Sequence, residues 1–255
     1  MMYATHSGPK IQGEGDKMEG NILITGAKMV LSDGIVTGDL RITDGTISEI
    51  STNGNLEPID DELVHDAHGL HLLPGIIDPQ VHFRDPGQPE KEDLHTGSRA
   101  AASGGVTSFL DMPNNVPSQT TLESMYNKLE TAANRCVTNY GFFIGATESN
   151  VEELKKAVGS PGSPIAIPGI CGIKIFMGSS TGDLLVNESN ALKTIFDNTA
   201  GLIAVHAEDE TRMIERKKMI EGRTDMAAHA EWRDDQTALI ATKRAVAYAQ
   251  ASGHR

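Results

Sequence analysis

Gly75-Ile-Ile-Asp-Pro-Gln-Val-His-Phe-Arg84 reads as an apolar strand with polar side chains gathered at its end. It opens a regular alternation. Apolar strand candidates lie at 73–83, 105–112, 139–146, 172–177 and 202–206. Helical stretches fill the gaps. One runs from about Glu92 to a stop at Gly104-Gly105. Thr120-x-x-Glu123 reads as a capping box ahead of Met125, Tyr126 and Leu129. Asn150-x-x-Glu153 is a second start, and 188–198 and 237–251 carry further helical spacing. Gly159-Ser-Pro-Gly-Ser-Pro164 is a loop. Strand–helix alternation predicts an α/β fold with a parallel sheet, open or closed as a barrel. Five units are visible before Arg255, and closure as a (β/α)8 barrel takes eight.

Upstream the pattern differs. Asn21-Ile-Leu-Ile-Thr25, Gly38-Asp-Leu-Arg-Ile-Thr43 and Thr46-Ile-Ser-Glu-Ile50 alternate apolar and polar residues, punctuated by Ser32-Asp33-Gly34 and Thr43-Asp44-Gly45. Short antiparallel strands joined by tight turns are expected over 21–70. A sheet of that size needs something to pack on. Residues 1–20 are polar and glycine-rich, lack an apolar signal region, and read as a disordered leader. The domain reading is therefore 1–20, 21–70 and 71–255.

The 255 residues are 38% hydrophobic and 22% charged, ordinary for a globular protein, with net charge −13. That charge repels nucleic acid and anionic membrane surfaces, so neither is an expected partner. No apolar run reaches the roughly 18 residues of a membrane span. Cys136 and Cys171 fit neither a CxxC pair nor a zinc-finger spacing, and read as reduced thiols of a cytoplasmic protein.

Four strand ends carry candidate chemistry. Residues two apart on a strand share a face, so Gln80, His82 and Arg84 are expected to point together at the C-terminal end. In barrel enzymes that end bears the active site. A lone histidine there is more often a satisfied core residue, but a neighbouring cation without a partner fits a core poorly. Asp111-Met-Pro-Asn-Asn115 ends the next strand; its asparagines serve as turn formers or as ligands. Lys174 interrupts the apolar run 172–177. It either snorkels to the strand end or carries a carbamate formed from CO2, an anionic two-oxygen ligand. Val205-His-Ala-Glu208 ends a further strand in His206.

Taken in order, Gly75 to Gly87, Lys91-Glu-Asp93, Ala102-Ser-Gly-Gly-Val-Thr107 and Asp111-Met-Pro-Asn114 resemble the dihydroorotases, a family of cyclic amidohydrolases. The likeness runs from Asn21 to the end, and His229-x-x-x-Arg233 with 238–249 resembles the family's helix before its sixth strand. The resemblance implies a (β/α)8 TIM-type metal-dependent hydrolase barrel, of which about five units are present, with a small N-terminal β-sandwich subdomain. It implies one or two zinc ions held by His82, His206 and a carboxylated Lys174. It also implies that Arg84 and Asn114 grip a substrate carboxylate. An Arg fork matches a planar carboxylate bidentately. Gln80 stands where the family places a first ligand histidine, and a neutral amide is a poor zinc ligand beside imidazole. The family's second late histidine and its catalytic aspartate would fall beyond Arg255.

The implied reaction is reversible hydrolysis of dihydroorotate to N-carbamoyl-aspartate, in pyrimidine biosynthesis. The chain by itself is expected to be inactive. Two rivals stand beside this reading. One is a non-catalytic homologue acting as a structural partner of aspartate transcarbamoylase, which Gln80 favours; a homo-oligomer is expected on either reading. The other is an allantoinase or hydantoinase, which Arg84 and Asn114 disfavour.

Overall fold

The computed structural model describes residues 20–179 and 182–254. The expected leader lies, Gly20 apart, outside them. The chain divides into two compact units, Met1–Gly75 and Ile76–Arg255.

In the first unit β1 (Asn21–Leu31), β2 (Gly34–Thr43) and β3 (Thr46–Ser51) form the antiparallel meander that the turn residues predict. Asp44 and Gly45 both take positive φ, 51° and 73°, the conformation a two-residue hairpin with right-handed strand twist demands. The sheet is not wholly antiparallel, as the sequence reading had it. β4 (Glu62–Asp66) and β5 (His71–Leu72) both lie parallel to β1. The chain reaches them through β2 and β3, a crossover rather than a tight turn, and a crossover permits parallel pairing. Ala27, Met29 and Leu40 form the small core of this sheet.

The second unit holds β6 (Ile76–Val81), β7 (Val106–Asp111), β8 (Asn139–Gly145), β11 (Ile170–Phe176) and β12 (Ile203–His206). They pair in that order, every neighbour parallel. The sheet is a curled part of a TIM-type barrel, and the N-terminal strands lie in a sheet apart from it. Between the strands run α1 (Leu94–Ser103), α2 (Leu122–Arg135), α3 (Val151–Val158) and α4 (Ser189–Asn198). The expected loop after α3 contains a two-residue-strand hairpin, β9 (Gly159–Ser160) with β10 (Ser163–Pro164). Buried Phe109, Phe142, Ile144, Ile173 and Ile175 from the strands meet Leu154 and Leu192 from the helices in one core. Continuous apolar strands of this kind belong to parallel sheets covered by helices.

Two local readings shift. The N-cap of α2 is Thr121, paired reciprocally with Ser124, one residue beyond the predicted Thr120 and Glu123. Either register offers a hydroxyl at the cap, and Ser124 answers the Thr121 main chain as Glu would. Second, β12 is followed not by one helix but by α5 (Glu210–Lys217), α6 (Met226–Trp232) and α7 (Asp235–Ser252). α5 is largely polar and both α5 and α6 are short, so periodicity gives them little signal; caps by Asp209 and Asp225 define their starts.

Candidate active site

β6 ends at Val81, which leaves His82 and Arg84 just past its C-terminal end. β7 ends at Asp111, and the loop Met112 to Asn115 lies beside them. Asn114 joins the two: its Oδ1 is 2.8 Å from His82 Nδ1, and its main-chain oxygen accepts from Arg84 Nη1 at 2.8 Å. A carbonyl oxygen only accepts, so the His82 proton sits on Nδ1 and the Nε2 lone pair is left for another partner. Arg84 keeps further N–H donors beyond the one used.

Behind this pair the main chain of Phe83 is held on both sides. Its N–H donates to Asp111 Oδ1 at 2.9 Å, and its carbonyl accepts from Asn115 Nδ2 at 3.1 Å. Lys128, from α2, donates to Asp111 Oδ2 and to Asn115 Oδ1, both at 2.7 Å. Lys128 is 2% exposed and Asp111 fully buried. Burial pushes the Asp111 carboxyl up and the Lys128 ammonium down, and the attraction of each for the other opposes both shifts. The ammonium also lies 4.8 Å over the Phe142 ring.

Lys174 lies in β11 between fully buried Ile173 and Ile175 and is itself 2% exposed. Among the described residues its side chain makes no hydrogen bond or ion pair; its Nζ lies 5.1 Å over the Phe176 ring. Burial alone pushes its ammonium down, toward the neutral amine.

His206 is the last residue of β12, and its Nε2 is 2.6 Å from Glu208 Oε2. Arg233, just past α6, grips Glu208 with both edges of its fork, Nε to Oε1 at 2.7 Å and Nη2 to Oε2. Those bonds hold the Glu208 carboxyl below its ordinary range, and His206 lowers it further. A carboxylate accepts, so His206 donates from Nε2 and keeps Nδ1 free. The two histidines thus offer different nitrogens, each set by the hydrogen bond on the other side of its ring, a common arrangement for metal-ligating histidine.

The structure thus ties His82, Arg84 and Asn114 together, and His206 to Glu208 and Arg233. Gln80 is exposed, and the bond recorded for it is of its main-chain N–H to Asp78 Oδ1 at 3.0 Å. The β6–β7 register slips between Asp78 and Val81, just ahead of His82 and Arg84. Among the described residues no group of three His, Cys, Asp or Glu side chains could hold a metal. The thiols do not compete: burial pushes Cys136 and Cys171 up to about 12, so both stay protonated at neutral pH. A cleft of about 470 Å³ beside Thr199, Leu202 and His254 opens at the other, N-terminal end of β12, away from every one of these residues.

Two groups escaped the sequence reading. Lys128 falls on the buried face of α2 with Met125 and Ala132, where spacing alone marks a lysine as an oddity without naming its partner. Arg233 was read only as part of a resemblance, and its grip on Glu208 spans 25 residues.

Residues 71–247 match the Amidohydrolase family. An allantoinase from Bacillus velezensis is 32% identical over 242 residues, which are 91% of this chain and 50% of that protein. A dihydroorotase from Methanosarcina acetivorans is 30% identical over 229 residues, 89% of this chain and 47% of that one. The L-hydantoinase (dihydropyrimidinase) of Arthrobacter aurescens superposes with a TM-score of 0.81 at 26% identity, over 92% of this chain and 51% of that structure. The chain spans about half the length of the relatives it matches.

Proposed function

Since the chain belongs to the amidohydrolase family, we propose that His82, Lys174 and His206 hold zinc and that Arg84 with Asn114 orients a cyclic amide for ring opening. The observation that carries this reading is the shared Asn114: one residue fixes the tautomer of His82 and the place of Arg84. A metal ligand and a substrate-gripping cation are thereby set at one loop.

The donors fit the metal. Neutral imidazole and anionic oxygen suit zinc. The neutral amine of Lys174, favoured by burial, attacks CO2; an N–C bond forms and the amine proton leaves to solvent. Two carbamate oxygens result, in a strand otherwise lined by apolar side chains. When bound, zinc supplies Lewis-acid polarisation of the ring carbonyl and a water of lowered pKa. The protein's own contribution is orientation: Arg84 retains N–H donors for a carboxylate, and Asn114 retains its Nδ2 donors.

Dihydroorotate carries a carboxylate and allantoin does not, so Arg84 supports the dihydroorotase reading. Allantoinases stand beside dihydroorotases among the relatives and hydantoinases among the solved structures, so the allantoinase or hydantoinase reading has support of equal weight. Titration calorimetry on the zinc-loaded protein separates them. Tighter binding of dihydroorotate than of allantoin or hydantoin is expected. Equal or tighter binding of allantoin transfers the assignment to an allantoinase or hydantoinase. Failure to bind zinc at all overturns the proposal that His82, Lys174 and His206 hold the metal in this chain.

A further inference from the structure

Lys128 is buried, charged and absent from every role given above, yet it ties the two loops of the site together. Its ammonium donates to Asp111 and Asn115 at 2.7 Å each, and those two side chains hold the N–H and the carbonyl of Phe83. Phe83 lies between His82 and Arg84 in sequence, and both neighbours reach Asn114, the residue before Asn115. The network therefore closes on itself. Helix α2 fixes the β7 loop, the loop fixes the Phe83 main chain, and the two side chains flanking Phe83 return to the loop. The Phe83 ring is anchored too. It meets Phe109 edge to face at 4.8 Å and lies where any side chain at Gly97 would go.

We propose that Lys128 is a positioning residue for the site: through Asp111 and Asn115 it sets the backbone of Phe83, and so the placement of His82 and Arg84. The proposal rests on the metal-site reading for its functional consequence. A buried ion pair contributes little net stability compared with apolar side chains of the same volume. What this pair adds is a defined geometry, because Asp111 cannot turn from Phe83 without abandoning Lys128. Polar networks in which every member is satisfied fix one arrangement of the groups they join.

The test is made on the chain as it stands. Lys128→Met removes the ammonium at similar volume, and Asn115→Ala removes the hold on the Phe83 carbonyl while leaving the ion pair. Asn115→Ala keeps the test alive if unpaired Asp111 prevents Lys128→Met from folding. Zinc affinity is read by competition with a chromogenic chelator. The Phe83 amide exchange rate and the His82 imidazole nitrogen shifts are read by NMR. Loss of about tenfold in zinc affinity, faster Phe83 exchange and a changed His82 tautomer ratio are expected. Pairing Lys128→Met with Asp111→Asn restores a neutral acceptor for the Phe83 N–H and should recover most of the affinity. A purely structural role would lower the melting temperature and leave all three site readouts unmoved, and that result overturns the proposal. If the unaltered chain binds no zinc, the metal reading fails by itself. Phe83 exchange and the His82 shifts then decide the positioning role alone.

Discussion

The Oδ1 atom of Asn114 lies 2.8 Å from His82 Nδ1, and this bond determines which face of the imidazole is available. Asn114→Ala removes the acceptor and lets the ring populate both tautomers. Zinc affinity should fall by roughly tenfold, the usual scale for losing an outer partner of a ligand histidine. Nitrogen NMR should show His82 passing from one tautomer to a mixture. An unchanged tautomer with unchanged affinity would mean that the bond orients nothing.

Lys174 has no polar partner among the described residues, so its amine is held at a cost. Lys174→Met replaces it with an apolar side chain of similar length. The metal-free variant should be more stable than the parent by about 1–3 kcal/mol, the scale for relieving a buried unpaired polar group. It should also bind no zinc at the site. Stability gained at the expense of function marks a residue kept for chemistry. Native mass spectrometry of the zinc-loaded parent should show the added mass of one CO2, and an unmodified lysine there would remove the carbamate from the site.

His82, Lys174 and His206 were legible because a polar residue at the end of, or inside, an apolar strand breaks a simple pattern. Arg84 was legible for the same reason. The partners that aim them were not. Asp111 lies 17 residues from Lys128, and Glu208 lies 25 from Arg233, so neither pair shares a local period. The parallel sheet of the second unit followed from alternation, whereas the parallel pairing of β4 and β5 with β1 depended on where a crossover returned. Local rules see turns and faces; they do not see which distant side chain satisfies a buried charge.

Asp234 gives a pH test that does not depend on the metal reading. It caps α7 through the Thr237 N–H at 3.1 Å and pairs with Arg212 at 2.9 Å through Nε. The Arg212 bonds, with help from Thr237, hold its carboxyl far below the ordinary range. A carboxyl depressed in the folded state adds stability above its unfolded value, near 3.9, and loses it as pH falls toward the folded value. Asp234→Asn keeps a capping oxygen but no charge. Its melting temperature should lie below the parent's at neutral pH, and the gap should close as pH falls from about 4 toward 2. A gap that stays constant across that range would assign the effect to the cap rather than the ion pair.

Arg84 is the residue on which the proposed substrate class turns. Its Nη1 is committed to the Asn114 carbonyl, which fixes the plane of the guanidinium and leaves the other N–H groups for a ligand. A planar fork matches a carboxylate at two points, whereas a lysine in its place offers one rotatable charge. Arg84→Lys should therefore weaken dihydroorotate binding to the zinc-loaded protein by about 1.5–3 kcal/mol, roughly 10- to 100-fold. Allantoin has no carboxylate for the fork to meet, so its binding should change little. The comparison carries its own control. A variant that merely distorts the loop would weaken both ligands together, because Asn114 and His82 would move with it. Selective loss of the carboxylate-bearing ligand is the result that only a recognition role for Arg84 produces, and equal loss of the two would return Arg84 to a scaffolding part.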